Sequence, residues 1–239
     1  MFLLGGYDAS LVVAHLVAAT ALGLIANQIM QQFVSSDDLN GFPRWRWVLA
    51  ALTQSVILPC ILHGAYTAST QAYGDDLRAW LSASAADMHA KGLYFEHCYV
   101  LALFASQSRD MVPSMPPGAD FLIKLHHWVV VILSVAVLAC PAGFGAFVLG
   151  TYLLEVGSCT FNLNVLYPGN KGILCFYQAV MLLSNLSAIA LGVYVFYLPA
   201  LSRGVVVTFF VANVGVCIGR QRHALKEGGC LKSSHKKAE

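Results

Sequence analysis

The chain has 239 residues, of which 58% are hydrophobic and only 11% charged, and its formal net charge is +2. A soluble domain carries roughly 25% charged and 45–50% apolar residues, so a mean hydropathy of +0.67 places the sequence in the membrane class. The near-neutral balance argues against a nucleic-acid partner. What positive charge there is gathers at the end: Arg220, Arg222, Lys226, Lys232, Lys236 and Lys237 stand against Glu227 and Glu239. That tail reads as cytosolic and lipid-facing.

The seven cysteines are scattered, and none forms a C-x-x-C pair. They read as reduced core residues rather than a disulfide framework or a metal site. The first apolar stretch lacks a basic start and is about 20 residues long, enough to span a bilayer rather than to be cleaved.

In chain order, the first span is expected over 7–30. The connector after it carries Trp45 and Trp47, which read as interface anchors. The second span is expected over 48–68, with Pro59 as a tolerated break. After a polar loop a third helix is expected over 82–106. A proline-rich loop follows, outside the hydrocarbon. The fourth span covers 121–139 and ends at Cys140-Pro141, a tight turn that makes a helical hairpin with the fifth, 144–166. The sixth is expected over 173–197 and the seventh over 201–219. The fold class is therefore all-α, a polytopic membrane helix bundle of about seven transmembrane helices. It divides into two N-terminal spans (1–81), a core of five (82–220) and a basic cytosolic tail (221–239).

With the tail in the cytosol, seven spans put the N-terminus across the membrane. At roughly 1.5 Å per residue, His126 and His127 lie about 7–9 Å down the fourth span from the cytosolic side. Ser158, Glu155, Glu96, Gln178 and Asn213 fall about 8–16 Å down their own spans. Thr151, Glu155, Ser158 and Asn162 are spaced four, three and four, so they share one helix face. Lys124, His127 and Ser134 form a second stripe, and Gln178 and Asn185 a third. Polar stripes in hydrocarbon should turn inward. The bland reading is that such residues only glue helices together.

The order of motifs resembles the TLC-domain membrane proteins, the multi-span family that includes ceramide synthases. An aromatic-acidic motif, Gly92-Leu93-Tyr94-Phe95-Glu96, opens a helix. Leu125-His126-His127 sits early in the following span. About thirty residues on, Leu153 to Asn162 fits the type L-x-E-x-S-x-x-F-x-N with one insertion and one deletion. The likeness covers roughly 82–219. The chain has no aspartate after Asp120, so it lacks the H-D-x-x-D signature of ceramide synthases. Leu163-Asn164 also stand where many other members carry an arginine. The resemblance is thus to the small branch that is not ceramide synthase, and it implies membrane-lipid handling.

An acyl-transfer site would use His126 and His127 as base or nucleophile, with Glu155 or Glu96 orienting the imidazole. Ser158, Asn162, Gln178 and Glu96 would contact substrate. Acyl-CoA would be a substrate; no resident cofactor or metal is expected. Membrane lipids are the expected partners. Two other classes stay open. One is a non-catalytic accessory subunit with membrane-protein partners, or a cargo receptor. The other is a b-haem redox subunit using His15 and His63. Lys236-Lys237-Ala238-Glu239 resembles a dilysine retrieval signal, so the endoplasmic-reticulum membrane is favoured. Another organelle membrane, such as the mitochondrial inner membrane, is the alternative.

Overall fold

In the computed structural model the described residues are 3–4, 7–111, 121–198 and 201–229. Lys236, Lys237 and Cys230, most of the proline-rich loop and Pro199 lie outside them. The described chain is almost wholly helical. Two short antiparallel pairs, β1 (Leu3–Leu4) with β2 (Tyr7–Asp8) and β3 (Asp38–Leu39) with β4 (Phe42–Pro43), are the exceptions.

The helices are α1 (Ala9–Phe33), α2 (Arg44–Leu52), α3 (Leu58–Tyr73), α4 (Leu77–Ser82), α5 (Ala85–Ala90), α6 (Phe95–Met111), α7 (Phe121–Ala139), α8 (Phe144–Leu166), α9 (Lys171–Val195) and α10 (Arg203–Glu227). A π turn at Thr53–Ile57 joins α2 to α3 without a break. Pro59 has no N–H and its ring would crowd the carbonyl four residues back. A widened turn just before it is the usual accommodation. Among the described residues four helices are long and apolar enough to cross a membrane: Ser10–Phe33, Arg44–Tyr73, Phe144–Leu166 and Lys171–Val195. α6 is shorter, at 17 residues, and carries Glu96, Arg109 and Asp110.

α8 is the hub. It packs on α2, α4, α9 and the π turn, while α1 and α3 lie on α6, α6 on α7, and α10 on α9. The main apolar core gathers Tyr99, Val100 and Leu103 of α6, Phe144 and Val148 of α8, and Leu81 and Met88 of the short helices, all fully buried. Gly145 lets α8 touch the end of α4, because a Cβ there would overlap the Trp80 carbonyl. Phe144 N–H then donates to the Ala83 carbonyl at 2.9 Å.

The expected spans 121–139 and 144–166 coincide with α7 and α8. The helix expected over 82–106 does not start there. Ser84 caps α5 through a reciprocal bond with Asp87, and Gly92 at φ +73° ends the turn that follows. α6 begins only at Phe95 and runs to Met111, past the expected end. α10 likewise continues beyond residue 219, through Glu227. Trp45 and Trp47 are buried rather than standing at an interface. Trp47 Nε1 donates to the Leu39 carbonyl at 2.8 Å. Of the described cysteines, Cys159 and Cys217 are core residues, whereas Cys60, Cys98 and Cys175 face outward.

Gly145→Val should lower the unfolding temperature in detergent, since overpacking against backbone costs about 1–3 kcal/mol. Gly150→Ala is the control, because its Cβ would meet Leu191 at an ordinary 3.6 Å and the melt should move little.

Candidate functional site

A cavity of about 510 Å³ opens at the end of the bundle where α2, α7 and α9 begin and α6, α8 and α10 finish. Its floor carries Arg46 and Gln54, Arg109 and Asp110, His126 and His127, Ser158 and Asn162, and Arg220 and His223, set among Phe42, Trp47, Phe161, Tyr177 and Met181. Its edge is apolar. Leu125 and Val129 of α7 and Val216 of α10 line it while standing 45%, 37% and 37% exposed. The opening is therefore lateral, between α7 and α10.

Four of the expected site residues, His126, His127, Ser158 and Asn162, line the cavity. His126 and His127 lie ring to ring, edge on, with centroids 5.8 Å apart. His127 Nε2 is 3.4 Å from Asp110 Oδ2. Asp110 is the next-to-last residue of α6, four residues beyond the helix end expected at 106.

Glu155 sits behind the floor, 4% exposed. Gln54 Nε2 donates to its Oε2 at 2.5 Å, and Gln54 Oε1 accepts from Asn162 Nδ2 at 2.6 Å. Burial without such partners would be costly for an acid. The relay ties the π turn to α8, and Gln54 reaches both partners from that turn. A polar glutamine inside the apolar run 48–68 was the sequence signal for it.

Arg220 reaches in from the last turns of α10. Its Nη2 donates to the Leu154 carbonyl at 2.6 Å and lies 3.4 Å from Ser158 Oγ. Gly157 leaves the space, since a Cβ there would stand 2.6 Å from Arg220 Nη2 and 2.7 Å from Ser184 Oγ. From the sequence Arg220 counted only as a tail charge.

Two expected substrate contacts fall elsewhere. Glu96 is fully buried in the first turn of α6 and accepts from Trp80 Nε1 at 3.0 Å. With α6 ending at Met111, Glu96 lies roughly 20 Å from the cavity end of the helix. Gln178 Nε2 donates to the Ala224 carbonyl at 3.2 Å and holds α9 to α10. Asn185 and Asn213 do the same through the Cys217 and Ala188 carbonyls, at 3.3 and 2.9 Å. These three are helix-to-helix glue. His15 and His63 are both exposed. Among the described residues no group of three or more His, Cys, Asp or Glu is placed to hold a metal ion.

No protein-family model, curated protein or solved structure matches the chain.

Gln54→Leu should destabilise the fold by about 2–4 kcal/mol, because it strands a buried acid and a buried amide together. The double change Gln54→Leu with Glu155→Leu should recover part of that loss in the same thermal melt. If the two losses simply add, the relay is not coupled.

Proposed function

We propose that this chain is an integral membrane protein of the TLC type, with seven spans, that draws a lipid into the cavity beside His126 and His127. The observation that carries the reading is the shape and polarity of that cavity. It has a polar floor, an apolar lateral edge and a volume of about 510 Å³, inside the range of small-molecule sites, roughly 300–1,000 Å³. The outward faces support a lipid surround. Val17, Leu22, Leu183 and Val211 are each more than 60% exposed, while Glu155, Thr160, Asn162 and Asn185 are buried. Water-soluble proteins place these residue types the other way round. An acyl chain entering between α7 and α10 would leave its head at the polar floor.

Acyl transfer at that floor is a second reading, favoured by the contact between His127 and Asp110. The imidazole would take the proton from an acceptor hydroxyl, with Asp110 stabilising the imidazolium. The new bond would join that oxygen to the acyl carbon of acyl-CoA, and the thioester carbon–sulfur bond would break. The proton would then pass from His127 to the departing thiolate.

A Cβ at Gly215 on the α10 wall meets nothing within 4 Å, so Gly215→Trp has open space in which to start its side chain at the cavity mouth. Lipid retained one-to-one by the purified protein, read by native mass spectrometry, should fall roughly tenfold, with the melting temperature kept. A wild-type protein that retains no lipid would sink the reading. His127→Ala tests the second: lipid retention should persist while acyl-CoA consumption disappears.

A further inference from the structure

Three arginines line the cavity from three different helices, and each keeps one guanidinium nitrogen enclosed without a hydrogen-bond partner among the described residues. Arg46 of α2, Arg109 of α6 and Arg220 of α10 line it against one carboxylate, Asp110, among the described residues. Arg109 is 4% exposed, and its Nε lies 3.8 Å from Asp110 Oδ1, beyond hydrogen-bond length. Arg46 Nη1 lies 3.5 Å from the Asp110 carbonyl. The Nε atoms of Arg46 and Arg109 and the Nη1 of Arg220 are buried without a hydrogen-bond partner among the described residues.

A buried donor left unpaired costs free energy. Three arginines at one cavity, each with such an enclosed nitrogen, leave guanidinium donors in excess there. An anionic acceptor balances the site, because among the described residues three guanidiniums meet two carboxylates, Asp110 in the lining and Glu155 behind it. It is approached from three helices, which a tetrahedral group meets better than a planar one. A carboxylate presents two oxygens in one plane; a phosphate monoester, such as that of phosphatidic acid, presents three around one phosphorus, and these pair with guanidinium forks in bidentate fashion. The apolar edge of Leu125, Val129 and Val216 adjoins this basic floor, so the rest of the molecule is hydrocarbon.

We propose that the cavity selects a phosphate-bearing lipid, its phosphate drawn in by Arg46, Arg109 and Arg220 and its chains leaving between α7 and α10. This rests on the lipid-binding reading above and names the lipid class for that same site.

The test uses the full chain purified in neutral detergent, with native mass spectrometry as the readout. The probes are phosphatidic acid, diacylglycerol with the same acyl chains, and inorganic phosphate. Phosphatidic acid should be retained about tenfold better than diacylglycerol. Arg109→Gln and Arg220→Gln should bring it down to the diacylglycerol level. Arg220→Lys, which keeps the charge and loses the fork, should fall between, and melting curves identify any variant that has merely unfolded. Equal retention of the two lipids in the wild-type chain overturns the phosphate assignment while the lipid-binding reading stands. Retention of neither overturns both. Inorganic phosphate that displaces phosphatidic acid at equal concentration shows a soluble phosphate as the ligand and overturns the lipid assignment.

Discussion

The arrangement depends on one hydrogen-bond relay, Asn162 to Gln54 to Glu155. A glutamate 4% exposed, in a helix whose outer face is apolar, has no water to satisfy it. It must be paired within the bundle. Gln54 does this with both ends of one amide, giving to Glu155 and accepting from Asn162. The two contacts fix the π turn against the middle of α8. Everything that surrounds the cavity is then set relative to α8. α10 is positioned from the other side, where Arg220 bonds the Leu154 carbonyl across the gap that Gly157 leaves open.

The two ends of the bundle solve different packing problems. At one end Gly145 admits the α4 backbone, and Phe144, Val148, Tyr99 and Leu103 fill the interior completely. The Trp80 indole donates there to one oxygen of Glu96, and the other oxygen has no partner among the described residues. At the other end arginine, histidine and glutamine stand among two smaller apolar clusters, around Trp47 and around Tyr177. Long charged side chains do not interdigitate to the density of an apolar core, and three guanidiniums do not crowd together without repulsion. A cavity is the physical consequence, and the side chains that prevent close packing are the ones able to bind a ligand.

This division bears on the histidine pair. Its expected partners were the acids of the TLC-like motifs, Glu155 and Glu96. Glu155 is engaged by Gln54, and Glu96 lies at the closed end. The acid found against His127 is Asp110. An Asp–His pair on neighbouring helices stands beside the cavity, 3.4 Å apart. It is what a structural ion pair would look like, which makes lipid retention and acyl-CoA consumption separable properties of the site.

Much of this was legible in the amino-acid order. Apolar runs of bilayer length, broken at Cys140-Pro141 and Pro168-Gly169, mark α7, α8 and the start of α9, because hydrophobic length and helix breakers are local properties. The stripe Thr151, Glu155, Ser158 and Asn162 identifies the inward face of α8, because helical periodicity is local too. The partners of that stripe were not legible. Gln54 and Arg220 lie 62 to 108 residues away along the chain from the α8 residues they join, and Asp110, from another helix, meets His127 of α7. Two of these, Asp110 and Arg220, sit in the last turns of their helices, where one extra turn decides whether a residue is tail or interior. The continuation of α6 to Met111 and of α10 to Glu227 brought those charges over the cavity. Which helix ends meet, and which charges therefore face one another, depends on packing between distant segments, and only the tertiary structure decides it.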